Sequence, residues 1–191
     1  MMHWYIFYTP RGWAAILSEK RTLFATVLPT PSPLNTFHHH IKKTGYDTRF
    51  IPLDDYSVPI VNKFRDYFNG KIIDHWDVEL ELSRFSSFAR DVLLLVHRIP
   101  YGEIMTYGQV ARQLGKPGAA RAVGQVMRKN PMGLVIPCHR VVSSTGWGGF
   151  SAAGGLELKA AMLRMEWQQT GQIPALARRL SLDQMLLSTN S

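Results

Sequence analysis

The stretch TYGQVARQLGKPGAARAVGQVMRKNP, Thr106 to Pro131, decides how the second half of this chain folds. Thr106 is a good N-cap for a short helix from Tyr107 to Leu114, and Gly115-Lys116-Pro117-Gly118 must break it. A second helix is expected from about Ala119 to Arg128, stopping at Asn130-Pro131. Two short helices joined by a tight Gly-containing turn, the second rich in Arg and small residues, fit a helix-turn-helix. Ala119, Ala120, Ala122, Val123 and Gly124 make the second helix slim. Such a helix either packs tightly against another helix or approaches a partner closely.

Upstream, Phe85, Phe88, Val92, Leu95 and Val96 recur at helical spacing, with Ser83 as a candidate N-cap and Pro100-Tyr101-Gly102 as the stop. Downstream, Met132 to Val142 reads as a short strand-like run holding Pro137-Cys138-His139-Arg140. A Gly-rich loop, Gly146 to Gly155, carries Trp147 and Phe150, and a last helix is expected from Leu156 to Gln168. An amphipathic piece, Leu176 to Leu187, follows. Residues 1–82 differ in character. Trp4 to Tyr8 and Thr22 to Leu28 read as strands and Val58 to Phe68 as a helix ending at Asn69-Gly70. Ile72 to Leu82 alternates like a strand. Pro29-Thr30-Pro31-Ser32-Pro33 marks a loop. The expected class is α+β: a small α/β domain (1–82), a mostly helical winged helix-turn-helix domain (83–168) and a helical tail (169–191).

Composition narrows the function. The 191 residues are 46% hydrophobic and 19% charged, as in an ordinary globular protein. No run approaches the roughly 20 apolar residues that span a bilayer. The apolar start, Met1 to Tyr8, lacks a basic region and reads as a strand rather than a signal peptide, so a cytoplasmic protein with no membrane partner is expected. The net charge of +8 and pI near 9.8 favour a polyanionic partner. From Ser83 to Trp167 eleven Lys and Arg face four acids.

The single cysteine, Cys138, excludes an internal disulfide and a multi-cysteine zinc site. It is either a buried inert thiol or a nucleophile. A free thiol with a pKa of about 8.5 is only slightly ionised at neutral pH, so a nucleophile needs help. His139 is adjacent, but in an extended strand neighbouring side chains point to opposite faces, so a bridging water or a bend at Pro137 is required. Glu166 is a candidate to orient the base. The run His38-His39-His40 reads as a solvated stretch rather than a metal site.

Asn130-Pro131 followed by Ile136-Pro137-Cys138-His139-Arg140-Val141-Val142 resembles the signature of the O6-alkylguanine-DNA alkyltransferases. The likeness takes in Ile99 to Glu103, Thr106 to Ala111, Ala119 to Gly124, Gly154-Gly155-Leu156 and Lys159. It covers roughly residues 83–167, and residues 1–82 match only in general character. The resemblance implies a ribonuclease-H-like N-terminal domain and irreversible, single-turnover transfer of an alkyl group, methyl above all, from O6-alkylguanine in duplex DNA to Cys138. O4-alkylthymine is a second candidate substrate. It further implies minor-groove binding, flipping of the damaged base, a monomer in solution, and neither cofactor nor metal. His139 acts through a water oriented by Glu166, and Asn130 ties the recognition helix to the active-site segment. Tyr107, Ala120, Arg121 and Arg128 face DNA, with Arg121 filling the vacated stack and Tyr107 crowding the 3′ phosphate. Tyr107, Val141, Phe150 and Ser151 line the base pocket. Two departures stand out: Ala152-Ala153 read as extra residues after Phe150, where a tyrosine is common, and Gly133 replaces a frequent proline. Related non-catalytic proteins lack the cysteine, which this chain keeps. The alternative is a winged-helix protein that binds alkyl lesions without transfer. A Cys-His hydrolase would need separated Cys and His elements and an oxyanion site, and neither is visible.

Overall fold

The computed structural model describes residues 2–33 and 53–182, so His38 to His40 and the end of the expected Leu176–Leu187 piece lie outside the described residues. Two compact units form. One spans Met1–Arg84 and takes in Pro131–Leu134; the other spans Phe85–Asn130 and Val135–Ser191. The architecture is α+β.

The first unit is built on a sheet of order β1-β2-β3-β4. Strands β1 (His3–Thr9), β2 (Gly12–Glu19) and β3 (Thr22–Thr30) form an antiparallel meander, and β4 (Glu79–Leu80) pairs with β3 in parallel. Strand β2 escapes the sequence reading because Ala14 to Leu17 is one unbroken buried run, without the alternation that marks a half-exposed strand. Helix α1 (Ser57–Phe68) buries Ile60, Val61, Phe64, Tyr67 and Phe68, the apolar positions its spacing predicts. Phe64 meets Phe7 of β1 edge-to-face, with ring centroids 5.6 Å apart. The alternation of Ile72–Leu82 yields only the two residues of β4, since Ile72 stays exposed. Pro131–Leu134 joins this unit through β3: Thr26 N–H donates to Pro131 O (2.8 Å) and Thr26 Oγ1 to Gly133 O (2.7 Å).

In the second unit α2 (Ser87–His97) is capped by Ser86, whose hydroxyl accepts from Ala89 N. The expected cap, Ser83, instead bonds Glu81. Thr106 closes β5 (Met105–Thr106) and caps α3 (Tyr107–Gln113) in a full capping box with Gln109. Helix α4 (Ala120–Arg128) follows the turn and buries Val123 and Met127. The expected strand over 132–142 shrinks to β6 (Val141–Val142), parallel to β5, because Cys138–Arg140 coils into a 3-10 turn. Helix α5 (Gly155–Thr170) and the short α6 (Ala175–Arg179) complete the unit. Residues 169–182 are not detached: Ala177 and Leu182 are buried with Ile104, Val142, Leu163 and Trp167.

Candidate active site

Cys138 sits on the first residue of the 3-10 turn, partly exposed. The turn replaces the extended geometry assumed from sequence and sends its next two side chains inward. His139 Nε2 lies 2.8 Å from Glu166 Oε1, both side chains fully buried. Arg140 donates through Nε and Nη2 to the same carboxylate at 2.9–3.2 Å and through Nη1 to Ile99 O at 2.7 Å. Gly102 N–H donates to Glu166 Oε2 at 2.9 Å. The carboxylate, carried by α5, is thus surrounded by donors from the turn and from the Tyr101-Gly102 bend. Burial pushes the Glu166 carboxyl up, but His139 and Arg140 outweigh it and bring its pKa down to about 2. His139 is pushed below its ordinary value, chiefly by burial, so the imidazole is neutral at pH 7.

A neutral imidazole donates Nε2–H to an ionised carboxylate, which leaves the Nδ1 lone pair to take a proton. Burial raises the Cys138 thiol above its ordinary value, opposed by a hydrogen bond from the Asn130 side chain and by the charge of Lys159. At rest the group is a thiol. The Asn130 amide also donates to Ile136 O at 2.9 Å, joining the end of α4 to the segment that precedes Cys138.

Lys159 of α5 is completely buried, and its ammonium donates to Val141 O (2.6 Å), Trp147 O (2.7 Å) and Gly149 O (3.4 Å). It clamps the Gly-rich loop to β6. Tyr107 reaches the same loop, its hydroxyl 3.5 Å from Gly149 O, and a Cβ placed on Gly148 would lie 2.9 Å from Tyr107 Cε2. Only glycine permits this approach.

Cys138 opens into a cleft of about 880 Å³ lined also by Tyr107, Ala120, Arg121, Arg128, Phe150 and Ser151. Along α4, Ala120, Arg121, Gly124 and Arg128 line the cleft, Val123 faces the core, and the buried Met127 borders both. No atom lies within 4 Å of a Cβ built on Gly124, so the slim face is open rather than packed on another helix. Ser151 Oγ donates to Arg128 O at 3.1 Å, tying the loop to α4. One residue expected in the pocket wall stands elsewhere: Val141 is fully buried in β6 and outside the cleft lining. His139, Glu166 and the half-buried Asn130 lie behind Cys138 rather than in the lining. Sequence reasoning left Lys159 without a role. A lysine inside a helix carries no sequence sign that it will be buried. Among the described residues, no group of three or more His, Cys, Asp or Glu could hold a metal ion.

Residues 87–168 match the family described as 6-O-methylguanine DNA methyltransferase, DNA binding domain. The chain is 39% identical over 128 residues to the methylated-DNA–protein-cysteine methyltransferase of Shigella flexneri, an alignment covering 66% of this chain and 71% of that protein. The chain belongs to this family. The family member from Mycolicibacterium paratuberculosis is 44% identical over 110 residues, 56% of this chain, and the chain spans only 62% of its length. Among solved structures, the O6-methylguanine methyltransferase of Mycobacterium tuberculosis superposes with a TM-score of 0.70 at 29% identity, covering 92% of this chain and 96% of that one. Mycobacterium tuberculosis OGT in complex with DNA gives 0.67 at 30% identity, covering 91% and 96%. The matched family segment contains every residue of the Cys138 site described above.

Proposed function

We propose that this protein repairs DNA by moving the alkyl group of O6-alkylguanine, methyl in the simplest case, onto Sγ of Cys138. The observation that carries the reading is a thiol at the mouth of an arginine-lined cleft, one residue from a buried neutral histidine locked to a carboxylate. Because burial raises the thiol, a base must take its proton as attack begins. His139 Nδ1 does so through a bridging water, with Glu166 and Arg140 fixing the ring. The thiolate sulfur forms a bond to the alkyl carbon as that carbon's bond to O6 breaks. The electron pair stays on the guanine, which regains a proton and leaves as ordinary guanine. The product is a thioether, and no second thiol exists in the chain to reverse it, so each molecule acts once.

O6 takes part in base pairing, so the damaged nucleotide must leave the stack to reach Cys138. Flipping costs a few kcal/mol, offset by phosphate contacts and by a side chain that occupies the gap. The exposed Arg121 on the open face of α4 fills that gap from the minor groove, and Tyr107 beside the loop presses on the 3′ phosphate. The protein acts as a monomer, in the cytoplasm. The deciding experiment is intact-protein mass after incubation with duplex DNA carrying O6-methylguanine. A gain of about 14 Da, absent in Cys138→Ser, is expected. Lesion binding without a mass gain would instead make it a non-catalytic lesion binder.

A further inference from the structure

The cleft has a wall that lies beyond the matched family segment. That segment ends at residue 168, yet Arg179 of α6 lines the same cleft as Cys138, together with Arg112 of α3 and Arg121 and Arg128 of α4. None of the lining residues is an acid. Helix α6 is held in place from below: Ala177 is fully buried among Leu163, Trp167 and Val142, and Leu176 and Leu180 pack against the same cluster. This leaves Arg178 and Arg179 exposed, and only Arg179 lines the cleft. Among the described residues no carboxylate pairs with Arg179. It shares the lining with Ser143 and Ser144, the turn that follows β6, on an element outside the helix-turn-helix.

We propose that Arg179 is a further DNA-binding residue, gripping a backbone phosphate of the bound duplex from α6. The inference rests on the reading of this cleft as the DNA site. A guanidinium on a packed helix is positioned at little entropic cost, and contact with a phosphate releases a condensed counterion. Arg179 then adds affinity and salt dependence without touching the chemistry at Cys138.

The test measures duplex affinity by fluorescence anisotropy over a series of salt concentrations, for the full chain and for Arg179→Gln, Arg179→Lys and Arg178→Gln. Arg179→Gln should weaken binding roughly three- to tenfold and flatten the slope of log K against log salt by about one. Arg179→Lys should restore most of the slope, and Arg178→Gln should leave it alone. Alkylation of Cys138 by the free base O6-methylguanine should proceed at the same rate in the wild type and in Arg178→Gln. An unchanged slope in Arg179→Gln, with the wild type still binding duplex and gaining mass, overturns this inference alone. Equal losses in the two Gln variants overturn it too, since they would report only diffuse charge. Failure of the wild type to bind duplex overturns the reading of the cleft and this inference with it.

Discussion

His139 Nε2 stands 2.8 Å from Glu166 Oε1, and neither side chain reaches solvent. That contact fixes which ring nitrogen carries the proton and so which one can take the proton of Cys138. His139→Gln keeps a donor for Glu166 but offers no base. Transfer from O6-methylguanine in duplex DNA should slow by about 10²-fold or more, with duplex affinity unchanged. In the wild type the rate should drop at acid pH as His139 takes a proton, below the ordinary histidine range because burial lowers its pKa. The variant should lack that limb. Stopped-time mass spectrometry across a pH series checks both.

Glu166 also links stability to pH. Its folded pKa of about 2 lies below the ordinary value of 4.5, so the unfolded chain binds its proton first as pH falls. Its contribution is complete above about pH 4.5 and is lost between there and about 2. Glu166→Gln leaves Arg140 buried without its carboxylate and should cost about 3–5 kcal/mol at neutral pH. The gap between the two proteins in urea melts should narrow as pH falls through that window, and a constant gap would contradict the assignment.

Arg121 is exposed and presents its guanidinium to the cleft from the open face of α4. Arg121→Ala should reduce transfer from duplex DNA by roughly ten- to a hundredfold, the rate equivalent of losing part of a few kcal/mol of compensation for unstacking. Transfer from the free base O6-methylguanine needs no flipping and should hardly change. The ratio of the two rates is the readout.

Gly148 lies against Tyr107 at a backbone φ of +69°, where an added Cβ would be 2.9 Å from the ring. Gly148→Ala should lose about 1–2 kcal/mol from the left-handed conformation alone. It should also displace Tyr107 and slow transfer from duplex DNA. If the thermal melt falls while transfer keeps its wild-type rate, the contact between this loop and Tyr107 is structural only.

Lys159 offers a second pH test, in an alkaline window. Burial holds its ammonium down to about 8 from 10.5. Between those values the unfolded chain retains a proton the folded protein has released, so stability rises with pH. Lys159→Met removes that dependence. The difference in Tm, wild type minus variant, should increase from pH 8 to 10.5. Freed from its clamp on Trp147 and Gly149, the loop of the variant should also support slower transfer at pH 7.

Much of this site was legible residue by residue. The capping box at Thr106, the stop at Gly115 and the slim face of α4 depend on neighbours three or four positions away, and local chemistry alone specifies them. The apolar stripe of α1 is likewise a matter of spacing. Where the reading failed, distant partners decided. Strand β2 is buried on both faces, which erases the alternation that would have revealed it. Ser86 rather than Ser83 caps α2 because Glu81 engages Ser83.

The sequence by itself determined the lone cysteine in its Pro-Cys-His-Arg setting, the pair of short helices and the excess of positive charge, since each is a property of residue type and short-range pattern. Only the tertiary structure decided what surrounds the nucleophile. It coiled Cys138–Arg140 into a turn, drew His139 and Arg140 onto one carboxylate 27 and 26 residues away, and buried Lys159 beneath the loop. It also set Arg179 in the lining of the cleft. Burying such charges is tolerable only when several donors and acceptors converge from separate elements, and the packed core of the second unit brings those elements together.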